Sequence, residues 1–252
     1  MDIIASADLT PFRRVETWIF DLDNTLYPAE CNLFAQVDQR MGAFISEFLG
    51  VDLIEAKRIQ KDYYFRYGTT LSGLMHEHAL VPERFLDYVH DIDLAPVCEA
   101  PLLGAALERL PGRKYVFTNG SRRHAEQVIA RLGLDGHFDD VFDIHAAEFV
   151  PKPERAAYER FMEAHAVAAG SAAMFDDLPH NLRTAHSLGM TTVLVACGET
   201  DHPEHRAMSG WGELPSHIHH RTDALAPFLA GIGAMRAEEA DRAASAGSYC
   251  CL

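Results

Sequence analysis

Asp21 and Asp23, separated only by Leu22, are the first close pair of carboxylates in the chain, in the stretch Trp18-Ile19-Phe20-Asp21-Leu22-Asp23-Asn24-Thr25. Two neighbouring carboxylates repel, and each favours its protonated form unless a cation sits beside it. A hard divalent ion with oxygen ligands, most simply magnesium, is the natural counter-charge. A carboxylate is also a nucleophile that can form an acyl phosphate. We read Asp21 as that nucleophile. Asp23 then serves as general acid to the leaving oxygen and afterwards as base to the attacking water. Thr25 fixes the loop that carries them. A solvated turn after a strand has the same composition, so partners further along the chain must decide.

Three later stretches supply such partners. Thr118-Asn119-Gly120 offers a hydroxyl and main-chain amides as donors to phosphate oxygens. Lys152, within Val150-Pro151-Lys152-Pro153, can neutralise both the nucleophile and a phosphoryl group. Asp176-Asp177 can complete a magnesium shell with the Asp21 carboxylate and the Asp23 main-chain carbonyl. Successive residues on a strand point opposite ways. One of the late acids therefore touches the metal directly, with Asp177 favoured, and the other acts through water or Lys152. Alone, each stretch reads as a turn, a surface lysine or a helix start. Together they stand in one chain, each at or just after the end of an apolar run.

Those runs define the elements that must do the positioning. Trp18-Ile19-Phe20, Lys114 to Phe117, Val141 to Ile144, Ala172 to Phe175 and Thr191 to Ala196 read as strands. Helical patterns closed by Gly or Pro separate them. Strand–helix alternation predicts a parallel sheet with right-handed crossovers, an α/β Rossmann-like fold. In such a sheet the strands share one carboxyl edge, where ligands bind. Between the first two strands, apolar residues recur at helical spacing. Asn32 and Asp52 are candidate caps, and Gly50 and Gly68 are candidate stops. We therefore expect residues 1–29 and 97–234 to form the core, and 30–96 a small all-helical cap inserted after the first strand. A late edge strand is expected at Ser216 to His220. Residues 235–252, rich in Ala, Glu and Asp, are expected to be a frayed or disordered tail.

Phe20 to Pro28, Phe117 to Gly120, Pro151 to Pro153 and Phe175 to Leu182 resemble the four motifs of the haloacid dehalogenase-like superfamily, in that family's order. The resemblance implies a Rossmann-like core, an aspartyl-phosphate intermediate and magnesium. An acid at Asp23 resembles the phosphatase branch, since dehalogenases lack one there. Asp-Asn-Thr-Leu-Tyr-Pro, with Tyr67 to Leu74 in the cap, is also similar to the pyrimidine 5′-nucleotidase-like group. That narrower likeness implies a nucleoside 5′-monophosphate such as UMP or CMP. It places Tyr67, Gly68, Thr69 and Thr70 near base or sugar, with Thr25, Asn119 and Gly120 beside the phosphate.

Composition narrows the partners. A net charge of −15 argues against binding a nucleic acid polymer, which needs basic clusters. The start of the chain has no signal-peptide pattern and no early run reaches membrane-span length, so the expectation is a cytoplasmic protein, monomer or homodimer, acting on a small phosphorylated metabolite. Five widely spaced cysteines imply no disulfide framework, and Tyr249 stands where prenylation needs a cysteine. Fourteen histidines show no zinc pattern and are read as structural or surface residues, with only His180 close in sequence to the acids. Alternatives using the same residues are a phosphomutase or phosphotransferase, or a sugar-phosphate or phosphoglycolate phosphatase. A non-catalytic binding protein on this scaffold is the remaining reading.

Overall fold

The apolar run before Asp21 forms strand β1 (Thr17–Phe20), with all four residues buried, as a strand covered on both faces requires. The structure, a computed structural model, describes residues 8–197, 203–208 and 211–247. After β1 come four helices, α1 (Leu33–Leu49), α2 (Leu53–Tyr67), α3 (Thr70–His78) and α4 (Pro82–Val89). Alternation then resumes with α5 (Pro101–Arg109), β2 (Arg113–Phe117), α6 (Arg122–Arg131), β3 (Asp140–Phe142), α7 (Arg155–His165) and β4 (Ala172–Asp176). The order closes with α8 (Pro179–Ser187), β5 (Thr191–Val195), α9 (Pro203–Met208), β6 (His220–Thr222) and α10 (Leu225–Gly247).

The strands make one parallel sheet in the order β3-β2-β1-β4-β5-β6. This is the α/β Rossmann-like architecture that the alternation implies. Strands β2 and β3 lie on one side of β1 and β4 to β6 on the other, so the winding reverses between β1 and β4. In open α/β sheets the ligand crevice opens beside that reversal.

Side-chain alternation along β1 divides the core. Trp18 and Phe20 pack with Leu103 and Leu107 of α5, Val128 of α6 and Phe228 of α10. Ile19 faces the other way, toward Tyr158 and Phe161 of α7 and Leu182 of α8. Helices α1 to α4 gather a third cluster around Phe44, Tyr63, Leu74 and Phe85, joined by Ile144 and Phe149 from the chain after β3. Gly73 permits the close crossing of α2 and α3, because a Cβ there would lie 2.4 Å from Tyr63 Cβ. Gly112, at φ +88°, admits the turn into β2, where a Cβ would meet Glu16 O at 2.2 Å.

Several expectations need correction. Asp52 does cap α2, accepting from Glu55 N at 2.8 Å, but Asn32 does not cap α1. At φ 51° its amide instead donates to Glu30 O. The late edge strand starts at His220; before it, Thr192 binds His217 O and His219 through its side chain. The stretch from Cys197 to Pro215, rich in Gly, Pro and His as a loop would be, holds α9. The tail expected over 235–252 is helical as far as Gly247. Its Ala, Glu and Arg residues favour helix, and Arg236 donates to the carbonyls of Phe12, Arg13 and Val15. Residues 248–252, with Cys250 and Cys251, and residues 1–7 lie outside the described residues. Among the described residues no helix is long and apolar enough to cross a membrane.

Candidate active site

Sheet register brings the acids together. Phe20 pairs with Phe175, and Asp21 N donates to Phe175 O at 2.8 Å, which sets Asp21 beside Asp176 at the reversal point. Lys152 arrives on the loop after β3. Its Nζ donates to Asp21 Oδ1 at 2.7 Å and to Asp176 Oδ2 at 2.8 Å. The lysine is 1% exposed, a burial tolerated only because the charge is paired. Asn119 fixes it from behind: Lys152 N donates to Asn119 Oδ1 at 2.7 Å, and Asn119 Nδ2 donates to Lys152 O at 3.0 Å. Asp176 also accepts from Leu178 N and Asn181 Nδ2. Asn181 is in turn placed by Tyr158, whose hydroxyl donates to its carbonyl at 2.8 Å.

Asp21, Asp176 and Asp177 present carboxylate oxygens within 4.8 Å of one another, all three residues buried. Burial pushes the Asp21 carboxyl well above the usual carboxylate range; Lys152 pulls it down, but Asp176, Asp177 and Asp23 push it up again. Asp177 is raised by burial and by Asp176. Lys152 is raised as well: its burial would lower it, but Asp176 and Asp21 outweigh that. Three buried carboxylates against one ammonium leave a charge deficit that a hard divalent cation would fill with oxygen ligands alone. The donor set therefore fits magnesium.

Asp23 stands apart from that group. Its Oδ1 accepts from Tyr27 OH at 2.6 Å and lies 3.1 Å from His124 Nε2. Burial raises its carboxyl, but the His124 charge and the bonds from His124 and Tyr27 hold it below the ordinary value. Ser121 sets the histidine in place, accepting from His124 N at the start of α6. His90 stacks on His124 with ring centroids 4.4 Å apart and planes 8° from parallel. Ser121 Oγ lies 3.0 Å from His90 Nδ1.

The other expected site residues divide. Thr118 is buried at the end of β2, its Oγ1 accepting from Gly120 N at 2.9 Å. Thr25 is buried in the turn after Asp23, and its Oγ1 has no hydrogen-bond partner among the described residues. The α2–α3 junction abuts the lysine loop, since a Cβ on Gly68 would lie 3.9 Å from Pro151 Cγ. There Tyr67 bonds to Glu77, and Thr69 caps α3 by accepting from Ser72 N. Thr70 is turned inward instead, 5% exposed with its hydroxyl on Gln60 O, so its role is in helix packing. The Asn119 side chain is likewise spent on the Lys152 backbone.

Tyr27, His124, His90, Asn181, Cys197 and His205 stand at the site without having been among the expected residues. Two of these carried a local signal. Tyr27 is four residues after Asp23 in a tight turn, and His124 is three after the capping Ser121. His205 reaches Asp177 from α9, with Nε2 2.9 Å from Asp177 Oδ2, and nothing in its neighbourhood of the chain announces that.

The family model described as haloacid dehalogenase-like hydrolase matches residues 15–189. Phosphate metabolism protein 8 of Saccharomyces cerevisiae is 29% identical over 205 residues, covering 74% of this chain and 63% of that protein. The chain thus spans less than two thirds of that relative's length. Among solved structures, the HAD-hydrolase YfnB from Bacillus subtilis, bound to magnesium, superposes with a TM-score of 0.53 at 18% identity, covering 87% of this chain and 99% of that one. A HAD phosphatase from Thermococcus onnurineus gives 0.51 at 20% identity over 84% and 94%. The L-2-haloacid dehalogenase PA0810 gives 0.54 at 14% identity over 86% and 99%.

Proposed function

The chain belongs to the haloacid dehalogenase-like hydrolases, and from that premise we propose that it is a magnesium-dependent phosphomonoester hydrolase working through an aspartyl-phosphate on Asp21, with a pyrimidine nucleoside 5′-monophosphate as substrate. The observation that carries this reading is the second carboxylate, Asp23, which accepts from Tyr27 and lies against His124, while Asp21 and Asp176 share Lys152. An ester oxygen needs a proton as it leaves, whereas a halide leaves without one. The phosphatase and phosphate-metabolism relatives support the same choice.

Asp21 attacks phosphorus, and the bond from phosphorus to the ester oxygen breaks. Asp23 gives that oxygen its proton. Lys152 balances charge on Asp21 and on the phosphoryl oxygens, while Thr118 and the amides after it donate to those oxygens. Asp23, now a carboxylate, takes a proton from water as the water attacks phosphorus, and the phosphoryl–Asp21 bond breaks. Asp21, Asp177 and the Asp23 carbonyl would hold magnesium, with Asp176 acting through Lys152; a neighbour of the same fold solved bound to magnesium is compatible with that ion. Bound there, the cation supplies positive charge that keeps Asp21 ionised and offsets charge on the phosphoryl group.

Burial and neighbouring charges set the two acids opposite to their roles, Asp21 raised and Asp23 lowered. A cation beside Asp21 and a phosphate dianion beside Asp23 each correct one of them. Residues 30–96 act as a cap, with Tyr67 and Thr69 facing the nucleoside across the lysine loop. A panel of nucleotides and sugar phosphates tests the proposal, with released phosphate measured with and without magnesium. Hydrolysis of UMP and CMP ahead of sugar phosphates is expected. Selective hydrolysis of sugar phosphates would replace the substrate, and no hydrolysis of any ester would remove the activity.

A further inference from the structure

The carboxyl end of β5 delivers Cys197 to the same sheet edge as the acids, and α9 brings His205 between it and Asp177. Cys197 Sγ lies 3.2 Å from His205 Nδ1, and His205 Nε2 lies 2.9 Å from Asp177 Oδ2. Thiol, imidazole and carboxylate donors, one atom from each residue, lie within 4.8 Å of one another. Asp177 and His205 are buried and Cys197 is partly so.

We propose that Asp177, Cys197 and His205 form a second cation site, for a thiophilic divalent ion of the zinc class, which draws on the same Asp177 as the oxygen-only set. A sulfur, nitrogen and oxygen donor set is the wrong chemistry for magnesium and the right one for zinc. Zinc bonds of about 2.0–2.3 Å put tetrahedral donors roughly 3.3–3.8 Å apart; because the two ring nitrogens of His205 face Cys197 and Asp177 separately, loading turns the imidazole so that one nitrogen faces the ion together with the sulfur and a carboxylate oxygen. The fourth position is left to water or a phosphate oxygen, as in open zinc sites. Loading the ion releases the thiol proton to solvent and leaves a metal-bound thiolate. Because Asp177 serves both sets, an ion on Cys197 and His205 withdraws it from the magnesium set. Zinc therefore opposes magnesium, a consequence that rests on the phosphatase reading, whereas the binding itself does not.

Cobalt(II) added to the metal-free full chain is the test, with zinc as competitor. One equivalent is expected to give an intense near-ultraviolet sulfur-to-cobalt band, and zinc is expected to erase it. Cys197→Ser is expected to lose the band while retaining its circular dichroism. Cys197→Ser and His205→Asn are each expected to weaken zinc binding about tenfold or more. In the activity arm, zinc raises the magnesium concentration needed for half-maximal turnover in the wild type and not in Cys197→Ser. No sulfur band in the wild type, or a band that persists in Cys197→Ser, would overturn the site. Zinc inhibition of equal strength in both proteins would overturn the shared use of Asp177. Absence of all esterase activity would refute the phosphatase reading and leave the cobalt result standing.

Discussion

Lys152 Nζ lies 2.7 Å from Asp21 Oδ1 across a separation of 131 residues, and the same nitrogen reaches Asp176. One buried ammonium thus ties the ends of β1 and β4 to the loop after β3. The site is assembled by this contact as much as by the sheet.

Lys152→Met leaves those carboxylates without their partner. Breaking a buried pair costs about 3–5 kcal/mol. Asp21 is already raised in the folded protein, and without Lys152 it rises further. A carboxyl raised on folding binds more protons folded than unfolded, so stability falls as pH rises. The variant's loss in thermal stability should therefore be larger at about pH 8 than at about pH 5.5. An equal loss at both would mean that Lys152 acts by packing rather than by charge.

His124 is a positioning residue for Asp23. His124→Asn should lower kcat roughly tenfold for alkyl phosphates, a part of the roughly 10²–10⁴-fold that a general acid contributes. The loss should be smaller for aryl phosphates, whose leaving groups need little protonation. Tyr27→Phe, which removes the other bond to Asp23 Oδ1, should follow the same pattern more weakly. A leaving-group series checks both variants; a loss independent of the leaving group would place His124 outside the acid step.

His90 bears on stability against acid. Burial and the neighbouring His124 push its ring down to about 3, despite Asp23, while an unfolded histidine titrates near 6.5. Between those values the unfolded chain binds the extra proton. Stability is thus whole above about pH 6.5 and declines as pH falls toward 3. The ring is partly exposed, so the total loss across that window should fall short of the roughly 1.4 kcal/mol per pH unit that one fully shielded proton gives. His90→Gln should flatten unfolding free energy against pH in that window alone.

Tyr67, Thr69 and Thr70 should separate. Tyr67→Ala and Thr69→Ala, at the junction beside Pro151, should raise KM for nucleotides severalfold and leave KM for a small aryl phosphate unchanged. Thr70→Val, in the α2–α3 packing, should alter thermal stability and leave both KM values alone. A nucleotide-specific effect of Thr70→Val would reverse the assignment.

What the sequence discloses is what short-range patterns encode. The run before Asp21, the Gly50 and Gly68 stops and the Asp52 cap announce their elements, because periodicity and capping are local. A parallel sheet then forces the strand ends onto one edge, so Asp21, Thr118, Lys152 and Asp176 could be grouped unseen. Hydrogen-bond partners across the fold are not local. The cap at Ser121 marks where His124 sits on its helix but not that its ring meets Asp23, and nothing around His205 says that α9 carries it to Asp177. Thr70 failed for the complementary reason: its neighbours show a helix start but not which side of it is buried. The helix beyond Ala234 was hidden because its anchor, Arg236, bonds to carbonyls more than two hundred residues away.

The central claim is that Asp21 accepts the phosphoryl group, and Asp23→Asn offers the most direct view of it. An aryl phosphate needs little acid assistance to form the acyl phosphate, but its hydrolysis still needs the base, so the intermediate should accumulate. Denaturing this variant during turnover and reducing with borohydride should convert residue 21 to homoserine, read by peptide mass, only when substrate is present. Homoserine at another aspartate, or an unmodified Asp21 in protein that has released a stoichiometric burst of phenol, would contradict the account.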